Sequence, residues 1–463
     1  IVLAGLVLTA FAGAAASLLL YRADDASLRA ATQWLMGGVV VTSPWQLFLP
    51  LVLIVVATVW ASAHAAGLDA LLLGPDAARG VGVDTERLER RGTWLAAGLT
   101  AFAVALAGIV GFVGLLVPHG ARALVGSDHR RLIPATALGG AAFLLAVDIL
   151  CRVAMAPAEL PIGIPTALGG VPVLVALLGA AHAGVRQQAP ALDRRGRQRR
   201  HASPTRNSGR DPAPAGDIAA VAGLRVVGLG VHFEGVDLLR DVHLDLACGE
   251  LTVLVGPTGA GKSTLLRALA GAVWSEGTID VHGVPRIAGN AAGSDALTWL
   301  PQRVELPRGA TVAHLVGLPL RLDGGASTDH QPLIDAALHR FGLNDMAHRL
   351  LTSLSGGQLQ RALLAMALAK PTPLVLLDEP TAALDVVSAH AVLQDLARLA
   401  HEQGRIVVVA SHDLNAALAI ADRIVAIADG RVVGCARTDD GPGREGALVA
   451  AFGAPVIKLL RPI

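Results

Sequence analysis

The hydrophobic and polar positions divide the chain into two parts of different character. Residues 1–185 contain long apolar runs, near 1–20, 47–66, 93–117, 132–150 and 163–184. A bilayer's hydrocarbon core takes about 20 helical residues, so each run is long enough to cross it. Because the run at 93–117 continues past Pro118 into a Gly-rich stretch, it predicts one full span and a broken, shorter one. We therefore expect five or six crossings.

From residue 221 to residue 463 the pattern is that of a soluble α/β domain. Short β-type runs alternate with helical stretches; the β-type runs are Leu251–Val255, Leu374–Leu377 and Ile406–Ala410. Such alternation predicts a mostly parallel sheet with both faces covered by helices. The predicted fold class is an all-α polytopic membrane domain followed by this α/β domain.

The segment 186–220 joins the two parts and contains almost no large apolar residue. Its Gln, Arg, Ser, Pro and Gly content predicts a disordered linker. Residues 186–210 hold eight arginines and one acid, Asp193. Positive charge accumulates on the cytoplasmic side of membrane proteins, so we expect the linker to be cytoplasmic, together with the Arg-rich loop 76–91.

Composition agrees with a chain that is partly out of water. Of 463 residues, 53% are hydrophobic and 16% are charged, whereas soluble proteins carry about 25% charged residues. The formal net charge is +1, which argues against a dedicated nucleic-acid binder. Three cysteines lie far apart and have neither metal-ligand nor disulfide spacing. The chain begins at Ile1 inside an apolar run, so we expect it to be cut within a span.

A Gly-rich loop follows the strand Leu251–Val255 and opens a helix. Its residues, all predicted to bind ATP, are Gly256, Pro257, Thr258, Gly259, Ala260, Gly261, Lys262, Ser263 and Thr264. This is the P-loop pattern in the strand–loop–helix context that it requires. Backbone N–H groups and the helix N-terminus can hold a phosphate chain. We expect Lys262 to neutralise phosphate charge and Ser263 to help hold Mg²⁺.

Two carboxylates follow a second apolar strand that begins at Leu374. We expect Asp378 to reach the phosphates at the end of that strand and to support the metal ion through water. Glu379 comes next and is predicted to polarise the attacking water as a general base. Their position after a P-loop makes this pair more informative than a carboxylate pair alone.

Between the P-loop and this pair lies the sequence LSGGQ, in which Ser355, Gly356, Gly357 and Gln358 open a helix. Residues 222–440 thereby resemble the ATP-binding-cassette (ABC) ATPases. A plainer interpretation, which is compatible with the first, is a turn with Ser355 as the helix cap. The resemblance implies that LSGGQ faces the γ-phosphate held by a second copy. One P-loop and one signature per chain then imply a head-to-tail homodimer.

The same resemblance implies roles for four further residues. Gln302 resembles the Q-loop glutamine, which contacts magnesium and the membrane partner. Asp385 resembles the D-loop aspartate, and His412 resembles the switch histidine at the γ-phosphate. Phe233 resembles the aromatic residue that stacks on adenine, with Phe where many relatives have Tyr.

The first part of the chain resembles a second family. Residues 107–122, 126–134 and 158–172 are similar to hallmark stretches of the FecCD permeases. That family takes up iron–siderophore complexes, haem and vitamin B12. Its members normally have ten spans on a chain separate from the ATPase, so the resemblance implies a fused and truncated permease here.

The resemblance also assigns residues to coupling and docking. Residues 71–83 resemble the cytoplasmic coupling helices that sit on the ATPase, and the residues assigned to this contact are Gly74, Ala78, Arg79 and Gly82. Arg152 matches an arginine that meets acids on an external binding protein, although an ordinary interfacial anchor explains it equally well. Asp148 is either an intramembrane functional group or a helix-end aspartate facing water.

The leading hypothesis is therefore an ATP-hydrolysing translocase that imports a metal chelate, most simply an iron–siderophore. Haem or vitamin B12 are alternative cargoes, a cassette exporter is disfavoured, and a truncated remnant with ATPase activity but no transport is an alternative of another class. ATP and Mg²⁺ are the expected cofactors. The expected partners are a second copy, an extracytoplasmic binding protein, the bilayer and the chelate, without nucleic acid. The expected location is the cytoplasmic membrane of a prokaryote, multi-pass, with the ATPase in the cytoplasm.

Overall fold

The computed structural model describes residues 2–38, 44–154, 160–172, 223–233, 235–286, 296–307, 309–323 and 330–453. The predicted linker 186–220 lies outside these residues. Two compact units are present. Unit 1 comprises Ile1–Val59, Trp94–Leu124 and Leu132–Ile218, and unit 2 comprises Trp60–Thr93, Val125–Arg131 and Ala219–Ile463. Two short segments from the first 185 residues therefore belong to the same compact unit as the C-terminal domain.

The first part of the chain contains only helices as regular secondary structure among the described residues. Its helices are α1 (Val2–Tyr21), α2 (Asp25–Leu35), α3 (Phe48–Ala63), α4 (Ala65–Leu71), α5 (Pro75–Gly80), α6 (Thr85–Ala107), α7 (Val113–Val125), α8 (His129–Ala154) and α9 (163–172). A 3₁₀ turn at Pro44–Leu47 precedes α3. Helices α4 and α5 are short and lie in unit 2.

Two helical segments among the described residues are long and apolar enough to cross a membrane, Trp45–Ala63 and His129–Val153. Two shorter apolar segments are Gly5–Tyr21 and Val113–Val125. The run 93–117 is interrupted at residues 108–112, between α6 and α7, and Pro118 lies inside α7 rather than at the interruption. Many large apolar side chains of unit 1, such as Phe11, are exposed, as expected of surfaces that face lipid.

Close backbone contacts at glycines hold three segments of unit 1 together. The Gly38 N–H donates to the Ala107 carbonyl at 2.9 Å, and the Gly163 N–H donates to the Met36 carbonyl at 3.1 Å. Gly108 has a φ of +70°, and a Cβ there would lie 1.9 Å from the Trp34 carbonyl oxygen. Small residues allow such approach between membrane helices.

The C-terminal domain contains a six-stranded sheet in the order β10-β9-β3-β8-β7-β6. Its strands are β3 (Leu251–Val255), β6 (Leu297–Leu300), β7 (Leu374–Asp378), β8 (Ile406–Ala410), β9 (Arg423–Ala428) and β10 (Arg431–Arg437). All pairs are parallel except β9–β10. Every residue of β3, β7 and β8 is buried, because helices or the second sheet cover both faces.

A second, antiparallel sheet has the order β2-β1-β4-β5. It is formed by β1 (Leu224–Phe233), β2 (Val236–Leu246), β4 (Glu276–Val281) and β5 (Val284–Arg286). The helices of this domain are α10 (Lys262–Leu269), α11 (Val312–Val316), α12 (Leu318–Asp323), α13 (Gln331–Arg340), α14 (Gly356–Ala369), α15 (Val386–Gln403), α16 (Leu414–Ile420) and α17 (Gly441–Phe452).

This topology explains why distant motifs meet. In parallel neighbours, the carboxyl ends of strands lie at one edge of the sheet, where ligands of open α/β sheets bind. The P-loop follows β3, Asp378 ends β7, and His412 lies just after β8. The predicted fold class, a helical first part and an α/β second part, is confirmed.

Gly108→Ala tests the packing of unit 1. We expect a loss of stability of at least about 2 kcal/mol, because the new Cβ would occupy a left-handed backbone position and meet the Trp34 carbonyl. The measurement is thermal unfolding of the purified chain in detergent. Gly98→Ala is the matched control, since nothing lies within 4 Å of a Cβ there. Equal unfolding midpoints for both variants would contradict this account of the packing.

Candidate nucleotide and coupling site

The P-loop has a backbone that glycine permits. Gly256 has a φ of +153°, and a Cβ there would lie 2.1 Å from the Ile427 carbonyl oxygen. Gly261 has a φ of +108° and occupies the N-cap position of α10. The loop therefore lies close against β9 and presents the start of α10, the arrangement that suits a phosphate group.

Lys262 is turned into this loop. Its Nζ donates to the carbonyl oxygens of Gly256 at 2.7 Å and Pro257 at 3.0 Å. Burial lowers the pKa of the Lys262 ammonium, and the carboxylates of Glu379 and Asp378 oppose that shift. A cation is thus held where a phosphate chain would need one.

Asp378 lies at the end of β7 beside the P-loop. Burial raises the pKa of the Asp378 carboxyl, the Glu379 charge raises it further, and a hydrogen bond with Ser263 opposes the shift. Its Oδ1 is buried and has no hydrogen-bond partner among the described residues. A buried carboxylate oxygen without a partner next to a hydroxyl is a donor set that suits Mg²⁺, so these residues fit the expected metal ion.

The Glu379 carboxylate, which follows Asp378 in the chain, contacts two other predicted site residues. Gln302 Nε2 donates to Glu379 Oε2 at 2.7 Å, and His412 Nε2 contacts Glu379 Oε1. The Glu379 N–H donates to the Ala410 carbonyl at 3.0 Å, at a φ of +53°. Side chains from three separate stretches of the sequence thus meet at one carboxylate.

The signature forms a helix start on the surface. Ser355 accepts from the Gln358 N–H, and the Gln358 side chain accepts from the Ser355 N–H at 3.0 Å, which makes a capping box. The predicted cap is confirmed. No hydrogen bond between the described residues joins the signature to the P-loop of the same chain. A Cβ at Gly357 would lie 3.5 Å from Leu384, so the signature abuts the predicted D-loop.

Asp385 and Phe233 are brought to neither the P-loop nor Glu379 by any described contact. Asp385 caps α15, and hydrogen bonds from the Ser388 N–H and hydroxyl lower the pKa of its carboxyl. Phe233 ends β1, and 62% of it is exposed. An exposed aromatic ring is available to stack on a flat ligand.

Helix α5, from the first part of the chain, packs on β6 within unit 2. A Cβ at Gly80 would lie 2.0 Å from the Trp299 carbonyl oxygen, and Ala78 is fully buried. The Glu305 N–H donates to the Leu73 carbonyl at 3.0 Å. Gly74, with a φ of +92°, occupies the N-cap position of α5. The backbone of the short helix therefore lies directly on the cassette.

Polar contacts surround the place where α5 packs on β6. Arg79 donates to the Ala272 carbonyl at 3.4 Å and to Thr85 Oγ1 at 3.0 Å. Asp76 forms an ion pair with Arg267 of α10 at 3.2 Å. Since α10 begins at Lys262, one helix contacts both the P-loop and α5.

A buried ionic cluster lies beside α5. Asp69 of α4 accepts from the His129 N–H at 3.2 Å and from the His129 ring, and it lies 3.3 Å from Nε2 of His314. Arg321 Nη1 lies 3.0 Å from Nδ1 of His314. Only 5% of the Asp69 side chain is exposed. Burial by itself raises the pKa of Asp69, but hydrogen bonds from His129 and His314 hold it below its ordinary value.

Arg152 is brought to none of these groups. It donates to Asp148 Oδ2 at 2.9 Å, one turn earlier in α8. About half of the Arg152 side chain is exposed. A role in docking an external protein stays a prediction.

Two family models match the chain. The FecCD transport family matches residues 1–179, and the ABC transporter family matches residues 239–382. The hemin import ATP-binding protein of Shewanella denitrificans is 42% identical over 220 residues, which are 45% of this chain and 85% of that protein. The chain belongs to the ABC transporter family.

Other relatives of this ABC transporter chain are named for the import of different cargoes. The cobalamin import ATP-binding protein of Halobacterium salinarum is 42% identical over 218 residues, 45% of this chain. This chain covers 54% of that protein, about half its length. The iron(3+)-hydroxamate import ATP-binding protein of Bacillus subtilis is 36% identical over 44% of this chain and 78% of its own length.

Among solved structures, a dimeric bacterial ABC transporter cassette is 27% identical and aligns with a TM-score of 0.43, covering 46% of this chain and 98% of its own. The FecCD match implies that this ABC transporter chain is integral to a membrane and carries an ATPase cassette. The two families thus occur in one chain, as predicted.

Sequence reasoning about this ABC transporter missed the Asp69 cluster. Asp69, His129 and His314 are far apart in the sequence, and none belongs to a recognisable motif. The one available signal was an acid, Asp69, within an otherwise apolar stretch. Asp76 was missed as well, because a single acid in a stretch that also contains arginines is ordinary.

Asp69→Asn tests the ionic cluster of this ABC transporter. At neutral pH we expect the free energy of unfolding to fall by about 1–3 kcal/mol, since two histidines lose their charged acceptor. A lowered carboxyl pKa stabilises the fold fully above its unfolded value near 3.9, and that contribution is lost as pH falls further. The difference in the free energy of unfolding between wild type and variant, measured in urea, should therefore become smaller below about pH 4.

Asp241→Asn is the matched control, because Asp241 pairs with His243 at 2.8 Å with 71% of the Asp side chain exposed. Exposed pairs contribute little, so this variant should unfold as wild type does. An Asp69→Asn variant as stable as Asp241→Asn at pH 7 would show that the buried cluster does not stabilise the fold.

Proposed function

We propose that the chain is the permease and ATPase of an importer that moves a metal chelate across the cytoplasmic membrane of a prokaryote. The observation that carries the proposal is the seating of α5, from the FecCD segment, on β6 of the ABC cassette. A cassette that packs directly against a helix of the permease segment in its own chain is suited to drive that permease. The cassette would lie in the cytoplasm, with the spans crossing the bilayer.

The cargo proposed is an iron–siderophore, with haem and vitamin B12 as the alternatives. Relatives are named for the import of hemin, cobalamin and iron(3+)-hydroxamate, which supports the metal-chelate class. These relatives match about half of this chain. Cargo choice is therefore assigned to the spans and to an extracytoplasmic binding protein, which Arg152 would help to dock.

Hydrolysis would use the carboxylate at the centre of the site. Glu379 is proposed to take the proton of the attacking water, because Gln302 and His412 orient its two oxygens. His412, with a half-exposed side chain, can move to donate to the γ-phosphate. Lys262 would exchange its two loop carbonyls for β- and γ-phosphate oxygens.

Nucleotide binding would begin at the P-loop, with the adenine stacked on Phe233. The proposed holders of Mg²⁺ are Ser263, Asp378 and Gln302. When bound, that ion neutralises charge that builds up between the β- and γ-phosphates. The orphaned Oδ1 of Asp378 supports this assignment.

A second copy is needed to complete the site. The signature of this chain is an exposed capping box, and its helix start can face the γ-phosphate held by a partner. Two chains paired head to tail would form two such sites, with Asp385 and its D-loop beside the signature. ATP would then bind the closed pair better than the open one, which is the requirement for coupling.

Glu379→Gln tests the proposal in proteoliposomes that contain the full chain and a cognate binding protein. We expect ATP binding to persist while hydrolysis falls at least about 100-fold, because the general base is lost. ATP-dependent uptake should stop with it. The readouts are phosphate release and uptake of a ferric siderophore, hemin or cobalamin in parallel.

Glu402→Gln is the matched control, since Glu402 is an exposed acid near the end of α15. That variant should hydrolyse and transport as wild type does. Unchanged hydrolysis by Glu379→Gln would refute the base assignment. Wild-type hydrolysis without uptake of any chelate would refute the importer and favour an ATPase without transport.

A further inference from the structure

A cavity of about 330 Å³ lies in unit 2 beside the end of α3. Its walls come from α4, from the first turns of α6 and from α12 of the cassette. The volume falls within the range of small-ligand sites, about 300–1,000 Å³. None of the residues assigned above to nucleotide binding or hydrolysis lines it.

The polar lining of this cavity is strongly basic. Arg87, Arg91 and Arg321 contribute three guanidinium groups, and Asp84 contributes the single acid. Asp84 is already paired with Arg87 at 3.0 Å. Among the described residues Arg91 has no ion pair, and Arg321 contacts the ring nitrogen of His314 at 3.0 Å. The cavity therefore has two positive charges that no carboxylate in its lining neutralises.

Apart from His64, the remaining lining consists of glycines and apolar residues, of which Leu88, Val83 and Leu322 are the largest. The apolar segment Trp45–Ala63 ends where the cavity begins, since Ala63 and His64 both line it. The Trp60 ring stacks on His64 with centroids 4.5 Å apart. Tryptophan is enriched at the boundary between lipid and water, which places the cavity at headgroup depth in the proposed orientation.

We propose that this cavity binds the phosphate headgroup of an anionic phospholipid. Arginine is the side chain suited to phosphate oxygens, and basic pockets beside membrane helices on the cytoplasmic side bind anionic headgroups. Leu88 and Leu322 would contact the glycerol region, and Arg91 with Arg321 would hold the phosphate. Free phosphate has the same oxygens, but it has no apolar group that could contact the apolar walls of the cavity.

The bound lipid would contact both sides of the interface between α6 and the cassette. Arg87 and Arg91 belong to α6 of the FecCD segment, whereas Arg321 belongs to α12 of the cassette. One headgroup that contacts both would hold α4 and α6 against the cassette. A ligand that binds only the folded arrangement stabilises it, so anionic lipid should raise the unfolding midpoint. This inference rests on the membrane orientation of the proposed function.

The experiment compares the full chain in delipidated detergent with added phosphatidylglycerol, phosphatidylcholine or inorganic phosphate. Phosphatidylglycerol should raise the thermal midpoint by several degrees and remain bound through gel filtration. Phosphatidylcholine and inorganic phosphate should do neither. Arg91→Gln should lose at least half of the shift, and Arg321→Gln should lose as much.

Arg90→Gln is the matched control, because Arg90 is an exposed neighbour in α6 that does not line the cavity. It removes the same charge and should keep the full shift. The proposal is overturned if Arg90→Gln loses as much as Arg91→Gln, or if inorganic phosphate reproduces the shift. Neither readout needs ATP hydrolysis or uptake, so a failure of the importer hypothesis is seen separately.

Discussion

The proposed coupling of ATP hydrolysis to transport depends on one contact, the packing of α5 on β6. Gly80 brings the helix backbone so close to Trp299 that a Cβ would lie 2.0 Å from its carbonyl oxygen. Around that point, Asp76 pairs with Arg267 and Asp69 is buried between two histidines. Close packing resists compression and transmits displacement. We therefore expect movement of the cassette to displace α5.

In the proposed function, one cassette does not form a complete site by itself. Its P-loop, Asp378 and Glu379 are assembled at the carboxyl edge of the parallel sheet, whereas the signature is an exposed helix start on the same chain. An ion or phosphate held between two copies would link their approach to nucleotide binding. Because α10 begins at the P-loop lysine and carries Arg267, it joins that event to the seat of α5.

Local motifs were predictable, and contacts between distant segments were not. The P-loop, the pair at Asp378 and the Ser355 cap follow from short-range chemistry, so their elements agree with the sequence. The meeting of Gln302 and His412 at Glu379 was implied only by family resemblance. Asp69, His129 and Arg321 come together only through tertiary packing, because no sequence spacing relates them. The family resemblance implied that residues 71–83 contact the ATPase, but nothing in the sequence indicated that all of 60–93 belongs to the cassette's compact unit.

Gly80→Ala provides the most direct test that this seat couples ATP use to transport. Its Cβ would collide with backbone at Trp299, whereas Gly446→Ala, with nothing within 4 Å, is a control of the same size. The measurement is chelate taken up per ATP hydrolysed in proteoliposomes. The account predicts that Gly80→Ala keeps hydrolysis but loses most uptake, so the ratio falls at least about tenfold, equivalent to about 1.4 kcal/mol of coupling. A ratio equal to that of Gly446→Ala would contradict it.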